Sequence, residues 1–336
     1  MKRLFLKAAG AAAAGALLQA CGGGGGGGGD GDPGAGAPAT GTRTLLQVAQ
    51  DSGRHQLFVQ AVQRAGLAAS LGAAGTGWTM FAPTDSAFHQ LAARLGVSDG
   101  AALVSTLSAQ QWIDILNFHL VPRQISVADM RAFAEPSNGT RPATRYVFDG
   151  EAAPLIFVVD GGTLNIWDGI GRSSITLAQS DVAASNGVVH FVNDLLLPRG
   201  VLTVSQMLRA NIDSFAHFAA SLTPSLIEEL DALASSTVFV PSDAIFSGAL
   251  SASVVRDHVL AQALGSSTFP AAADYTTLLG QATHFTRGGT PPEVRNGREV
   301  LATLTDSTTA TAAVIDVDFY ASNGVIHVLD KVLVPR

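Results

Sequence analysis

The residues of this chain best suited to chemistry are its histidines, at positions 55, 89, 119, 190, 217, 258, 284 and 327. A neutral imidazole can ligate a metal or carry a proton near neutral pH. No two are spaced as HxH or HExxH, the arrangements that bring two rings to one metal. Four recur in matched contexts: His119 with His258, and His190 with His327. Recurrence fits two metal sites or two copies of one structural bond. A buried ring whose nitrogens bond backbone groups explains it more cheaply. Asp85 and Asp243 also recur, after Pro-Thr and Pro-Ser. There a hydroxyl or carboxylate can accept orphan amide hydrogens of a following helix, and no partner acid or nucleophile marks them for catalysis. Asp316 and Asp318 alternate in AVIDVDFYAS, which predicts that both lie on one solvated side. They lack the spacing and turn glycine of a calcium loop. The serines have no nucleophile-elbow context, and no phosphate loop or dinucleotide fingerprint is present. The residues therefore predict no catalytic group, no metal site and no cofactor.

The matched contexts come from a tandem duplication, and missing a repeat miscalls a fold. SNGVVHFVNDLLLPR at 185–199 and SNGVIHVLDKVLVPR at 322–336 are identical at eight of fifteen positions. Upstream, TMFAPTDSAF at 79–88 answers TVFVPSDAIF at 237–246. Each copy opens with a threonine, Thr44 or Thr203, suited to capping a short helix. A second helical stretch leads to a strand around 78–81 or 237–240, which ends at proline. Phe88 and Phe246 then turn back to the core. Ser108 is placed to cap the helix AQQWIDILNFH. Copy one spends about 19 more residues here than copy two, including an Ala-rich helix and loop at 91–107. As the main length difference, that segment is the most individual surface candidate for recognition, with a purely supporting helix as the alternative. The remainder of each copy is β-like, with YVFDG, LIFVVDGG and TLNIWDG in copy one. Asn186-Gly187 and Asn323-Gly324 predict hairpin turns, since both residue types tolerate positive φ.

Residues 1–20 predict a removed signal peptide. Lys2, Arg3 and Lys7 precede a weakly apolar stretch from Ala8 to Leu18, too short to span a bilayer. Leu18-Gln19-Ala20-Cys21 contains the only cysteine and resembles the lipobox of bacterial lipoproteins. The resemblance implies acylation of Cys21, hence a membrane partner through a lipid anchor. Lys2-Arg3 also resembles a twin-arginine export signal with lysine first, so both export routes stay open. Gly22 after the cysteine, by resemblance to bacterial sorting rules, favours the outer membrane. Eight glycines and DGDPGAGAPATGT complete a tether over 21–42, with a reach of about 25 Å. Loss of the three leading cations takes the formal net charge from −7 to −10. An acidic chain without basic clusters argues against nucleic acid. With no cysteine after Cys21, a disulfide framework is excluded.

The paired motifs resemble those of the fasciclin (FAS1) family. Phe81, Pro83, Thr84, Asp85 and Phe88 carry the front motif in copy one; Phe239, Pro241, Asp243 and Phe246 carry it in copy two, with Ser242 for threonine. The rear motif runs through Asn186, Gly187, His190, Asp194 (one place late) and Pro198, and through Asn323, Gly324, His327, Asp330 and Pro335. The resemblance implies an α+β fold with two tandem FAS1 domains, at 43–199 and 200–336, each a wedge of two β-sheets with packed helices. It implies a non-catalytic adhesion or binding module, with an extracellular protein or polysaccharide as ligand. A periplasmic structural role is the alternative, and an enzyme the remaining one. Some animal members tie a Tyr-His pair to integrin contact. The matching positions hold Phe118-His119 and Asp257-His258, so integrin binding does not carry over, and Phe118 and His119 stand as candidate binding positions only. The abrupt restart near Arg199-Gly200-Val201 predicts two autonomous domains in restricted orientation.

Overall fold

The computed structural model describes residues 41–73, 77–172, 175–289, 293–295 and 298–336. The signal peptide, Cys21 and nearly all of the tether lie outside the described residues. Copy one runs α1 (Leu45–Asp51), α2 (Gln56–Arg64), α3 (Ala68–Gly72), β1 (Trp78–Pro83), α4 (Asp85–Arg94), α5 (Gly100–Thr106), α6 (Ala109–Phe118), β2 (Leu120–Val121) and α7 (Val127–Ala134). It continues with β3 (Ala143–Phe148), β4 (Glu151–Pro154), β5 (Ile156–Asp160), β6 (Thr163–Trp167), β7 (Ile175–Ala184) and β8 (Gly187–Val192). Copy two repeats the plan with α8 (Val204–Ala210), α9 (Ile212–Ala220), α10 (Pro224–Asp231), β9 (Ser236–Pro241), α11 (Ala252–Asp257) and β10 (Val259–Leu260). A 3₁₀ turn (Ser266–Thr268) follows, then β11 (Ala272–Thr276), β12 (Ala282–Arg287), β13 (Val294–Arg295), β14 (Arg298–Glu299), β15 (Ala302–Thr305), β16 (Thr311–Ala321) and β17 (Gly324–Leu329).

The α+β architecture agrees with the sequence. The main sheets are ordered β2-β1-β8-β7-β6-β5 and β10-β9-β17-β16-β15-β12-β11, with β3-β4 and β13-β14 as separate two-stranded sheets. β1 and β9 are apolar runs buried almost throughout, as central strands must be. Helix starts follow local chemistry. Thr44, Ser108 and Thr203 each close a capping box with a glutamine three residues on.

The strands join the two motifs of each copy. β1 pairs in parallel with β8, setting Trp78 against Gly187, Phe81 against His190 and Pro83 against Val192. β9 and β17 repeat this, with Phe239 against His327. Both Asn-Gly hairpins form, but not for the expected reason of positive φ. Ala184 pairs with Gly187, so Ser185 and Asn186 form the two-residue loop and the glycine begins the strand. Neither asparagine adopts positive φ. Instead Asn186 Oδ1 accepts from Leu45 N at 2.8 Å, and its Nδ2 donates to the carbonyls of Leu71 and Ala73. Asn323 likewise accepts from Val204 N and donates to Leu230 and Leu233. Each asparagine ties two helix ends to the turn. Each glycine is needed because its neighbour strand is too close: a Cβ on Gly187 would meet the Trp78 carbonyl oxygen at 2.1 Å, and one on Gly324 the Ser236 Oγ at 2.3 Å. Gly187→Ala should therefore destabilise the protein by about 1–3 kcal/mol or more. Urea unfolding checks this, and an unchanged midpoint would refute it.

Packing bears on two more expectations. In 91–107, Leu91, Ala92, Leu95, Leu103, Val104 and Leu107 are buried, and Trp112 Nε1 donates to Val104 O at 3.0 Å. The extra length of copy one is thus a supporting element on its apolar side, with Ala93, Ser98, Asp99, Ala101, Ser105 and Thr106 left exposed. Asp316 and Asp318 do not share a simple alternating face. The β16–β17 register shifts between Asp316 and Phe319, and Asp318 sits at φ 68°. Its carboxylate accepts from the Ser266 amide at 2.8 Å and from the Ser266 hydroxyl. Asp181 repeats the device at φ 54°, accepting from Val127 N.

Both copies lie in one compact unit, and buried apolar contacts continue across the junction between them. It runs from Leu45 through Val204, Met207 and Phe218 to Ile326, while a smaller core around Phe269 and Phe285 serves only copy two. Gly200 N donates to Tyr320 O at 2.7 Å and Ser322 N to Leu202 O at 2.8 Å. Arg209 reaches Leu95 O, and Asn211 reaches Ile170 O. Phe148 of the β3–β4 hairpin packs on Tyr320, with ring centroids 5.6 Å apart.

Candidate functional site

The recurring polar residues gather where the two motif strands of each copy meet. The ring of His190 lies 5.4 Å from that of Phe81, and the ring of His327 lies 5.7 Å from that of Phe239. His190 Nε2 bonds Ile125 O at 2.8 Å, while its Nδ1 accepts from Asp181 N at 3.2 Å. His327 repeats both bonds with Leu264 O and Asp318 N. The other pair has the opposite tautomer. His119 Nδ1 bonds Ile115 O at 2.8 Å and Nε2 accepts from Leu196 N at 3.0 Å. His258 does the same with Val254 O and Leu333 N.

Each ring thus carries one proton, donates once and accepts once. No lone pair is left for a metal, and no proton is free to move. All four are buried. Burial lowers every one of their pKa values, against the raising effect of the carbonyl each ring bonds; His119 and His258 fall to about 4. Among the described residues, no group of three His, Cys, Asp or Glu side chains is arranged to hold a metal. Phe118 and His119 are buried, so neither can meet a partner directly, which corrects their placing as candidate binding positions. The physical reason is local. Phe118 ends α6 and packs edge-on against the Tyr146 ring of β3 at 6.2 Å, and His119 caps the helix with its ring bonded to Ile115 O and Leu196 N.

Asp85 and Asp243 cap not the helix that follows them but one two helices back in the chain, α2 and α9. Asp85 Oδ1 accepts from Leu57 N at the start of α2, at 2.7 Å. Asp243 accepts from Ala216 N and His217 N, just beyond the non-helical Phe215 that interrupts α9. Thr84 makes no side-chain capping bond. Phe88 is buried against Trp112, and Phe246 is half-buried against His217. Pro83 and Pro241 end their strands; Pro198 and Pro335 follow the closing ones. Asp330 accepts from Ala313 N at 2.6 Å.

Asp194 is not the counterpart of Asp330. It belongs to a buried ion cluster that motif spacing did not reveal. Arg172 donates through Nε to Asp168 Oδ2 at 2.8 Å, through Nη1 to Asp194 Oδ2 at 2.9 Å, and through Nη2 to Leu195 O. Arg94 adds a second bond to Asp194 at 2.9 Å. Burial opposes charge on Arg172, but Asp168 and Asp194 outweigh it and hold the guanidinium above its ordinary value. Burial also pushes the Asp168 carboxyl up, whereas the guanidinium and the amides of Ile170, Arg172 and Leu197 bond it as a carboxylate. In copy two Asp306 takes this position, with Thr308 and backbone amides as its donors. His55 was also missed. It stacks on Phe191 at 4.0 Å, bonds Ser52 Oγ through Nδ1, and leaves Nε2 without a hydrogen bond.

The fasciclin domain family matches residues 53–198 and 213–335. Protein sll1483 of Synechocystis sp. is 30% identical over 155 residues, covering 46% of this chain and 73% of that protein. Fasciclin-like arabinogalactan protein 12 of Arabidopsis thaliana is 26% identical over 167 residues, covering 48% of this chain and 61% of that protein. A solved FAS1 domain pair from the insect cell adhesion molecule Fasciclin I matches at 18% identity and a TM-score of 0.39, covering 84% of this chain and 98% of that one.

Proposed function

The chain belongs to the fasciclin domain family, with two tandem FAS1 domains, and on that premise we propose that it is a non-catalytic binding module held at the bacterial cell envelope by a lipid on Cys21. One observation carries the non-catalytic part: the four recurring histidines spend both ring nitrogens inside the fold. What the fold then offers a partner is its surface. The anchor rests on Leu18-Gln19-Ala20-Cys21 and the glycine run behind it. Among the described residues no helix is long and apolar enough to cross a membrane.

Cys21→Ser should release the protein from the membrane fraction, and globomycin should accumulate the unprocessed precursor. A Cys21→Ser protein that fractionates like wild type would sink the anchor. Protease treatment of intact cells separates two placements: digestion means surface display, and protection means a periplasmic role on envelope polymers. A deletion strain should lose attachment to surfaces or partner cells, and complementation should restore it.

A further inference from the structure

Copy two serves as an internal control for copy one at the edge of the main sheet. Thr79 of β1 faces Val121 of β2, as Thr237 of β9 faces Leu260 of β10. Each threonine hydroxyl donates at 2.7 Å to the carbonyl two residues further on, that of Arg123 or of Gln262. Each also accepts from the amide of Ile125 or of Leu264. This backbone corner is therefore built alike in both copies. The side chains are not alike: Trp78 answers Ser236, Pro122 answers Ala261, and Arg123 answers Gln262. Copy two shows that the corner folds with small, uncharged residues, so the ring and the charge in copy one are not demanded by the fold.

An open groove of about 290 Å³ occupies this corner, lined by Pro122, Arg123, Thr140, Arg141, Pro142 and Ala143 among others. Arg145 lies two residues along the same outward face of β3 as Ala143. Its guanidinium sits over the Trp78 ring at 5.0 Å, and that of Arg123 over the Phe133 ring at 4.9 Å. Stacking fixes a guanidinium plane while leaving its edge donors available. Among the described residues, no carboxylate forms an ion pair with Arg123 or Arg145. Arg123 and Arg141 line the groove, and Arg145 stands beyond Ala143 on the same outward face of β3, in a chain of net charge −7.

We propose that this groove binds an acidic polysaccharide through the carboxylates of its uronate residues. The inference rests on the binding-module reading and names its ligand class. Guanidinium forks match carboxylates in bidentate geometry. The proline and alanine walls suit the C–H face of a sugar ring, which a bare inorganic anion would leave unused. The volume is at the lower end for ligand pockets, roughly 300 Å³, so it suits a ring or two of an open chain that continues past either end.

The full chain is run through native gels containing polygalacturonate, alginate or neutral dextran. Both polyuronates should retard it and dextran should not, with retardation falling as salt rises. Arg123→Gln/Arg145→Gln should weaken binding about tenfold or more at an unchanged melting midpoint, the loss expected for a charged hydrogen-bonded pair. Arg123→Gln alone, which copies Gln262, is the second variant and should show a smaller loss. Equal binding by variant and wild type overturns the site, as does no retardation by either polyuronate. Displacement by inorganic phosphate as complete as by uronate oligomers marks a generic anion site and also overturns it. If the deletion strain loses attachment but the double variant restores it fully, the groove is wrong and the binding module stands. If the deletion strain attaches like wild type, the module reading itself has failed, whatever the gels show.

Discussion

Acidification from about pH 7 to about pH 5 should remove about 4 kcal/mol of stability from the domain pair through His119 and His258 alone. Burial holds both rings neutral, with pKa values of about 4 against 6.5 for a free histidine. The unfolded chain therefore takes up their protons first. Stability is intact above about pH 6.5 and is lost progressively as pH falls towards about 4, at up to about 1.4 kcal/mol per pH unit for each ring. His190 and His327, also lowered by burial, add to the loss in the same direction. Carboxyls raised by burial, such as Asp257, work the other way near the bottom of the window. Denaturant titrations across this range read the slope directly. His258→Gln should flatten the profile, whatever it does to stability at neutral pH. A stability flat between pH 7 and pH 5 would mean that the rings are not held neutral as described.

Arg172→Met should destabilise the protein by about 3–5 kcal/mol, the range for breaking a buried ion pair from one side. The substitution keeps most of the apolar volume but leaves Asp168 without its guanidinium and Asp194 with Arg94 alone. The segment it holds also meets copy two: Ile170 O accepts from Asn211, and Gly171 lies against the Phe319 ring. Melting should therefore fall for the pair as one transition rather than for copy one only. Asp168→Asn added to Arg172→Met should recover part of the loss, because the stranded charge is removed. If Arg172→Met costs under about 1 kcal/mol, the cluster is not the lock that its burial implies.

Much of this protein could be read from short stretches of chain. The capping boxes at Thr44, Ser108 and Thr203 close within three residues. The strands at 78–83 and 236–241 declare themselves as apolar runs ended by proline. The duplication needs no structure at all. The recurrence of His190 and His327 pointed to one bond made twice, and the bonds are those of buried rings to backbone. Direction was harder. Asp85 caps α2, which begins 29 residues earlier in the chain, because the fold brings the helix start back to the end of β1. Asn186 is the turn residue its sequence predicted, but its identity is set by three bonds to chain segments more than 100 residues away rather than by a positive φ.

By itself, then, the sequence determined the repeat, the family, several helix starts and the motif strands of each copy. Those features depend on residues adjacent in the chain, or on a motif written twice. Only the tertiary structure decided which polar groups are committed inside the fold and which reach its surface. The Arg94–Asp194 bond joins residues 100 positions apart, and the Trp78–Arg145 stack joins two strands from different sheets. Such contacts follow from where packing carries each strand and helix, and composition or spacing along the chain holds no record of them.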